Sequence, residues 1–184
     1  MQRIWISLLC CSMLLLSGCQ LMPHAQGLKS SHWSAQQYQR QDQVEVEWKD
    51  KSFSFLLYQQ QQGQQLSLVA LGLTGQPLFQ LQFDGQQVKV QQRIDQMRLL
   101  PFEFVVRDIL FATYPEFSAL GQRGVTVENS THQQRVLIHQ KVILQIQKNG
   151  NSIELNNVQV PYQMTLSPIE NTLNSDQPEQ GIQP

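Results

Sequence analysis

The residues best suited to chemistry are few and scattered. His24, His32, His132 and His139 could ligate a metal or move protons, but they lie far apart in the 184-residue chain. No His-x-His, His-Glu-x-x-His or Cys-x-x-Cys spacing occurs, so a metal site would need assembly from distant residues, and none is expected. The nucleophile elbow, the phosphate-binding loop and the dinucleotide glycine pattern are also missing, which leaves no residue assigned to catalysis and no cofactor. Among the carboxylates, Asp108 stands on a largely apolar stretch, where burial would raise its pKa and suit it to acid–base work. Without a second carboxylate at a useful spacing, the expectation is a helix-surface aspartate paired with Arg107 or Arg98.

Cys19 is the exception. It follows Arg3 and an apolar run from Ile4 to Leu16, the layout of a secretory signal whose run is too short to span a membrane. The order Leu16-Ser17-Gly18-Cys19 resembles the bacterial lipobox, in which the cysteine is acylated and becomes the first mature residue. Residues 1–18 are then a signal peptide, 19–42 a lipidated N-terminus with a flexible tether, 43–167 one folded domain, and 168–184 a disordered tail. Cys10 and Cys11 would leave with the signal, so the mature chain has no pair for a disulfide.

Of the 13 basic residues Arg3 also leaves, so 12 face 14 acidic ones, a formal charge of −2. With no basic run in the sequence, neither nucleic acid nor an anionic surface is an expected partner. Glutamine supplies 33 residues, mostly alternating with apolar ones as in Phe79-Gln80-Leu81-Gln82-Phe83, which is the period of a half-buried strand.

The elements that must position any site follow from that period. Strands are expected at 44–48, 52–58, 66–71, 78–83 and 87–91, then at 125–128, 134–139, 141–148, 152–155 and 162–166. A glutamine-rich turn is expected at 60–64, and Asp84-Gly85 and Asn149-Gly150 are two-residue hairpin turns. Between the two strand sets, 101–112 reads as a helix: Pro101 suits a first turn, and Phe102, Val105, Val106 and Ile109 fall at i, i+3, i+4 and i+7. Glu103 and Arg107 form an i, i+4 pair on another face. The expected fold is mainly β (α+β): a single curved antiparallel sheet, or half-open β-barrel, covered by a central helix.

This arrangement sets Phe53, Phe55, Leu57, Leu68, Phe79, Leu81 and Phe83 opposite Phe102, Val105, Val106, Ile109 and Phe111. Such a wall is either a closed core or a pocket for an acyl chain, which gains about 0.8 kcal/mol per buried CH₂. The order of lipobox, tether, strand meander, Gly72-Leu73-Thr74-Gly75 corner, Asp84-Gly85 hairpin and proline-started helix resembles the outer-membrane lipoprotein receptor LolB and its soluble relative LolA. It resembles more closely a family of uncharacterised bacterial lipoproteins encoded beside aryl-polyene and fatty-acid-like synthesis genes, through 78–85 and Arg107-Asp108-Ile109-Leu110-Phe111-Ala112-Thr113-Tyr114-Pro115.

The resemblance implies a LolA/LolB-like half-barrel on the periplasmic face of a Gram-negative outer membrane, held there by lipid on Cys19. It also implies a monomer that binds a hydrophobic, acyl or polyene-like chain and assists its transport or assembly. Leu73 would be the exposed loop leucine that passes cargo to the membrane, although the Asn-Pro preceding the receptor's leucine is not present. The competing expectations are an adaptor lipoprotein with a closed core that binds a protein partner and, third, an esterase or thioesterase.

Overall fold

The computed structural model describes residues 24–169. Cys19, the expected signal and the expected tail from residue 170 onward lie outside the described residues. Strands β1 (Tyr38–Trp48), β2 (Lys51–Gln62), β3 (Gln65–Gly72), β4 (Pro77–Phe83) and β5 (Val88–Arg93) precede the helix α1 (Phe102–Thr113). After it come β6 (Val125–Asn129), β7 (Gln133–Ile138), β8 (Lys141–Asn149), β9 (Ser152–Asn157) and β10 (Tyr162–Pro168). All ten strands form one antiparallel sheet in the order β5-β4-β3-β2-β1-β10-β9-β8-β7-β6. The sheet is not closed: β5 and β6 are its edges, and α1 lies on the connection that runs from one to the other.

That order follows from two meanders joined by their ends. The first strand pairs with the last, Val44 opposite Leu166 and Trp48 opposite Tyr162. Alternation then puts Val44, Phe55, Leu68, Leu81, Leu144, Ile146, Leu155 and Leu166 into one core with α1. Nine of the twelve residues of α1 are buried, so the helix is wrapped by the sheet.

Two segments differ from the sequence expectation. The glutamine run is strand, not turn: β2 continues to Gln62, and the turn is Gly63-Gln64, with Gly63 at φ 59°. Inward alternation carries on through Gln59 and Gln61, which are 1% and 3% exposed. Their amides are satisfied there, Gln61 Nε2 donating to the Ser34 and Gly63 carbonyls and its Oε1 accepting from the Tyr114 hydroxyl. The second difference is the tether. Residues 38–42 belong to β1, and Ala25, Leu28 and Ser30, at 5%, 2% and 1% exposed, pack on the body as a strap. The Ser30 and His32 N–H groups donate to the Gly85 and Leu120 carbonyls, which fastens the strap beside the far end of α1. Trp33 completes this seam by stacking on Tyr114 at 4.9 Å and meeting Phe83 edge-on at 5.0 Å. Gly85 makes room for it: a Cβ there would stand 2.4 Å from Trp33, and its φ of +88° also suits only glycine.

Candidate functional site

The structure brings the predicted apolar wall together and closes it. Phe55, Leu57, Leu68, Phe79, Leu81 and Phe83 are at most 2% exposed, and Phe102, Val105, Val106, Ile109 and Phe111 at most 6%, all in one core. Phe79 meets Phe55 edge-on at 5.6 Å and Phe102 at 5.2 Å. Phe53 is half-buried against the same core. Leu73, at the corner between β3 and β4, is 62% exposed.

Within this core sits a buried ion pair. Arg107 and Asp108 are both 0% exposed, with Arg107 Nε donating to Asp108 Oδ1 at 2.8 Å. Asp108 Oδ2 also accepts from Asn157 Nδ2 at 2.5 Å and from the Tyr162 hydroxyl. Asn157 Oδ1 in turn accepts the N–H groups of Gln159 and Val160 at 2.8 and 2.7 Å, which shapes the turn between β9 and β10. The Asp108 carboxyl is therefore internal, not on the helix surface as expected, although Arg107 is its partner as expected. Burial pushes its pKa above the usual carboxylate range, and the attraction of Arg107 and the three donated hydrogen bonds only partly offset this. Burial likewise drives the Tyr162 hydroxyl well up, and the adjacent Asp108 charge adds to it.

The i, i+4 pairing expected of Glu103 with Arg107 is not formed. Glu103 instead accepts from the Ala25 N–H at 2.9 Å and meets His24 Nδ1 at 3.2 Å, which pins the start of the strap to the start of α1. Arg107 Nη1 donates to the Gln26 carbonyl at 3.0 Å and to Gln159 Oε1 at 3.1 Å, while Nη2 has no hydrogen-bond partner among the described residues. A second polar cluster lies near the other end of α1, where the Tyr38 hydroxyl donates to Thr113 Oγ1 at 3.1 Å. Burial pushes the Tyr38 pKa up to about 12.

Sequence reasoning missed one surface feature because its residues are remote in the chain. Two adjoining depressions of about 490 and 360 Å³ share Gln26, Ile138 and His139. Their lining includes the cations Lys29, Arg123 and Lys141, together with His24 and His139, and no acidic residue. The floor is apolar, with buried Ile138 and Ile143 and with Val158, which is 52% exposed. His139 and Gln140 form the turn from β7 to β8 with φ 49° and 65°. That left-handed geometry costs a non-glycine residue roughly 1–2 kcal/mol, and turns of this kind usually carry Asn-Gly. The only local signal was the pair of expected strands abutting at 139 and 141 with no glycine between them.

Among the described residues no group of three or more His, Cys, Asp or Glu could hold a metal, and no helix is long and apolar enough to cross a membrane. No curated protein matches the chain. Residues 39–170, which take in all ten strands but for the first residue of β1, match a protein family described as a protein of unknown function. The chain belongs to that family, DUF3261.

Proposed function

We propose that this protein is a lipoprotein anchored by acyl chains on Cys19 at the periplasmic face of an outer membrane. Its half-barrel, similar to those of LolA and LolB, would take up an acyl or polyene-like chain during transport or assembly. The observation that carries this reading is how the apolar wall is covered. One helix fills the concavity of an unclosed sheet, and it is joined to the two free edges by the long segments 94–101 and 114–124. Moving α1 aside would uncover Phe55, Phe79, Leu81 and their neighbours without breaking a single strand pairing. Leu73, exposed at the rim, would then be placed to hand cargo to the membrane.

The second reading, an adaptor lipoprotein with a solid core, is favoured by the packing itself, since the wall is shut against α1 in this structure. Native mass spectrometry separates the two. A chain from Gln20 onward, recovered from cells, is expected to carry a lipid adduct and to displace a fluorescent fatty-acid probe. If it does neither, the carrier reading fails and the adaptor reading stands. Incorporation of labelled palmitate should vanish in Cys19→Ala, and labelling that survived would show the anchor to lie elsewhere.

A further inference from the structure

We infer that the cationic groove formed by Lys29, Arg123, His139 and Lys141 seats the phosphate headgroup of an anionic membrane lipid. It would thereby hold one end of the half-barrel flat against the bilayer. This rests on the proposed anchoring at Cys19.

Three observations converge on a lipid rather than a free anion. The first is charge: three permanent cations and no carboxylate line the two depressions, although the mature chain as a whole is acidic. The nearby carboxylates are already engaged, Glu103 by His24 and Ala25, and Asp108 by Arg107. Arg107 lies directly beneath, donating to Gln26 and Gln159, two residues of the lining. A surface with this balance has no general attraction for an anionic membrane, so any attraction must be local to the groove.

The second is the floor. Ile138 and the exposed Val158 give the cations an apolar companion surface, which suits the junction of headgroup and acyl chain and serves no purpose for inorganic phosphate. The third is reach. Cys19 is five residues from His24, which lines the groove, and a fully extended chain covers at most about 18 Å over that interval. A lipid on Cys19 therefore cannot sit far from this groove, whatever path residues 20–23 take.

The test uses flotation of the chain from Gln20 onward, which keeps every residue of the packed body, with vesicles of phosphatidylcholine alone or with added phosphatidylglycerol. Binding is expected only to the anionic vesicles. It should weaken about fivefold for each cation removed, and about a hundredfold in the triple variant Lys29→Gln, Arg123→Gln, Lys141→Gln. A control triple, Lys89→Gln, Arg135→Gln, Lys148→Gln, removes the same charge from exposed positions elsewhere and should leave binding within a factor of a few.

Equal loss in both triples, equal binding to neutral vesicles, or displacement by millimolar inorganic phosphate would each overturn the proposal. All six side chains are exposed, so loss of binding in one triple alone cannot be laid to misfolding. The carrier reading is judged separately by the fatty-acid probe, which reports on the space under α1 and not on these cations.

Discussion

Arg107 and Asp108 are neighbours in sequence, and neighbouring helical residues point about 100° apart, so their pairing inside the protein is not a feature of the helix alone. It forms because the strap supplies the Gln26 carbonyl and the turn from β9 to β10 supplies Asn157 and Gln159, while Tyr162 closes the far side. Burial raises the Asp108 pKa above its unfolded value of 3.8, so a proton binds the folded state more tightly than the unfolded one. The Asp108 contribution to stability is thus fully present below 3.8 and is lost as pH rises through the folded pKa. Arg107 opposes part of that loss through its attraction for the ionised carboxylate. In Arg107→Met the carboxylate is left buried without its cation, and stability measured by urea unfolding should fall by about 3–5 kcal/mol at pH 7. Much of this should return on acidification towards pH 4 as Asp108 takes up a proton, and Arg107→Met with Asp108→Asn should be more stable at pH 7 than Arg107→Met alone. An Arg107→Met variant equally destabilised at both pH values would show that the charge on Asp108 is not the cause.

Among the elements, the strap at 25–33 is the least expected member of the fold. Its Leu28 is 2% exposed in the core, so Leu28→Ala should cost about 2–5 kcal/mol of unfolding free energy. Hydrogen exchange in α1 should quicken with it; a loss under 0.5 kcal/mol would mean that the strap only rests on the surface. The strands and the helix were legible because two-residue and 3.6-residue periods survive in a single sequence, and because Asp84-Gly85 and Asn149-Gly150 carry their turn chemistry openly. The strap has no period, since its burial comes from docking onto Gly85, Leu120 and Glu103, which are 50 or more residues away in the chain. Gln61, expected in a turn, is buried in β2 beside Gln59 for a related reason. An amide reads as solvent-facing in sequence, and only the arrival of Tyr114, Ser34 and Asp42 from other elements makes its burial affordable. The cationic groove was invisible for the same reason, because Lys29, Arg123 and Lys141 come together only when the strap meets the turn from β7 to β8.

At the scale of the whole molecule, the antiparallel register gives the open sheet two unlike ends. One end carries the turns between β1 and β2, β3 and β4, β7 and β8, and β9 and β10, together with the start of α1. Leu73, Leu99 and Val158, three of the four exposed large apolar side chains among the described residues, lie there at 62%, 71% and 52% exposure. The cationic groove and His24, the described residue nearest to Cys19 in the chain, lie at the same end. The other end presents Gln64, Asp84, Ser130, Thr131 and Asn149 in its turns. Under the anchoring proposed at Cys19, a membrane should meet the first end and not the second. The protein holds its own reporters for this: a chain from Gln20 onward omits Trp5, and in it Trp48 and Trp33 mark opposite ends. Trp48 closes β1 with the Lys49 ammonium 5.1 Å from its ring centroid, and Trp33 donates to the Gln64 carbonyl at the far turn. The eleven residues of β1 separate the two ends by roughly 33 Å, enough for energy transfer to tell them apart. On vesicles whose headgroups carry a dansyl acceptor, transfer from tryptophan should be lost in Trp48→Phe and kept in Trp33→Phe. The opposite result would put the polar end on the membrane and remove the groove from any headgroup.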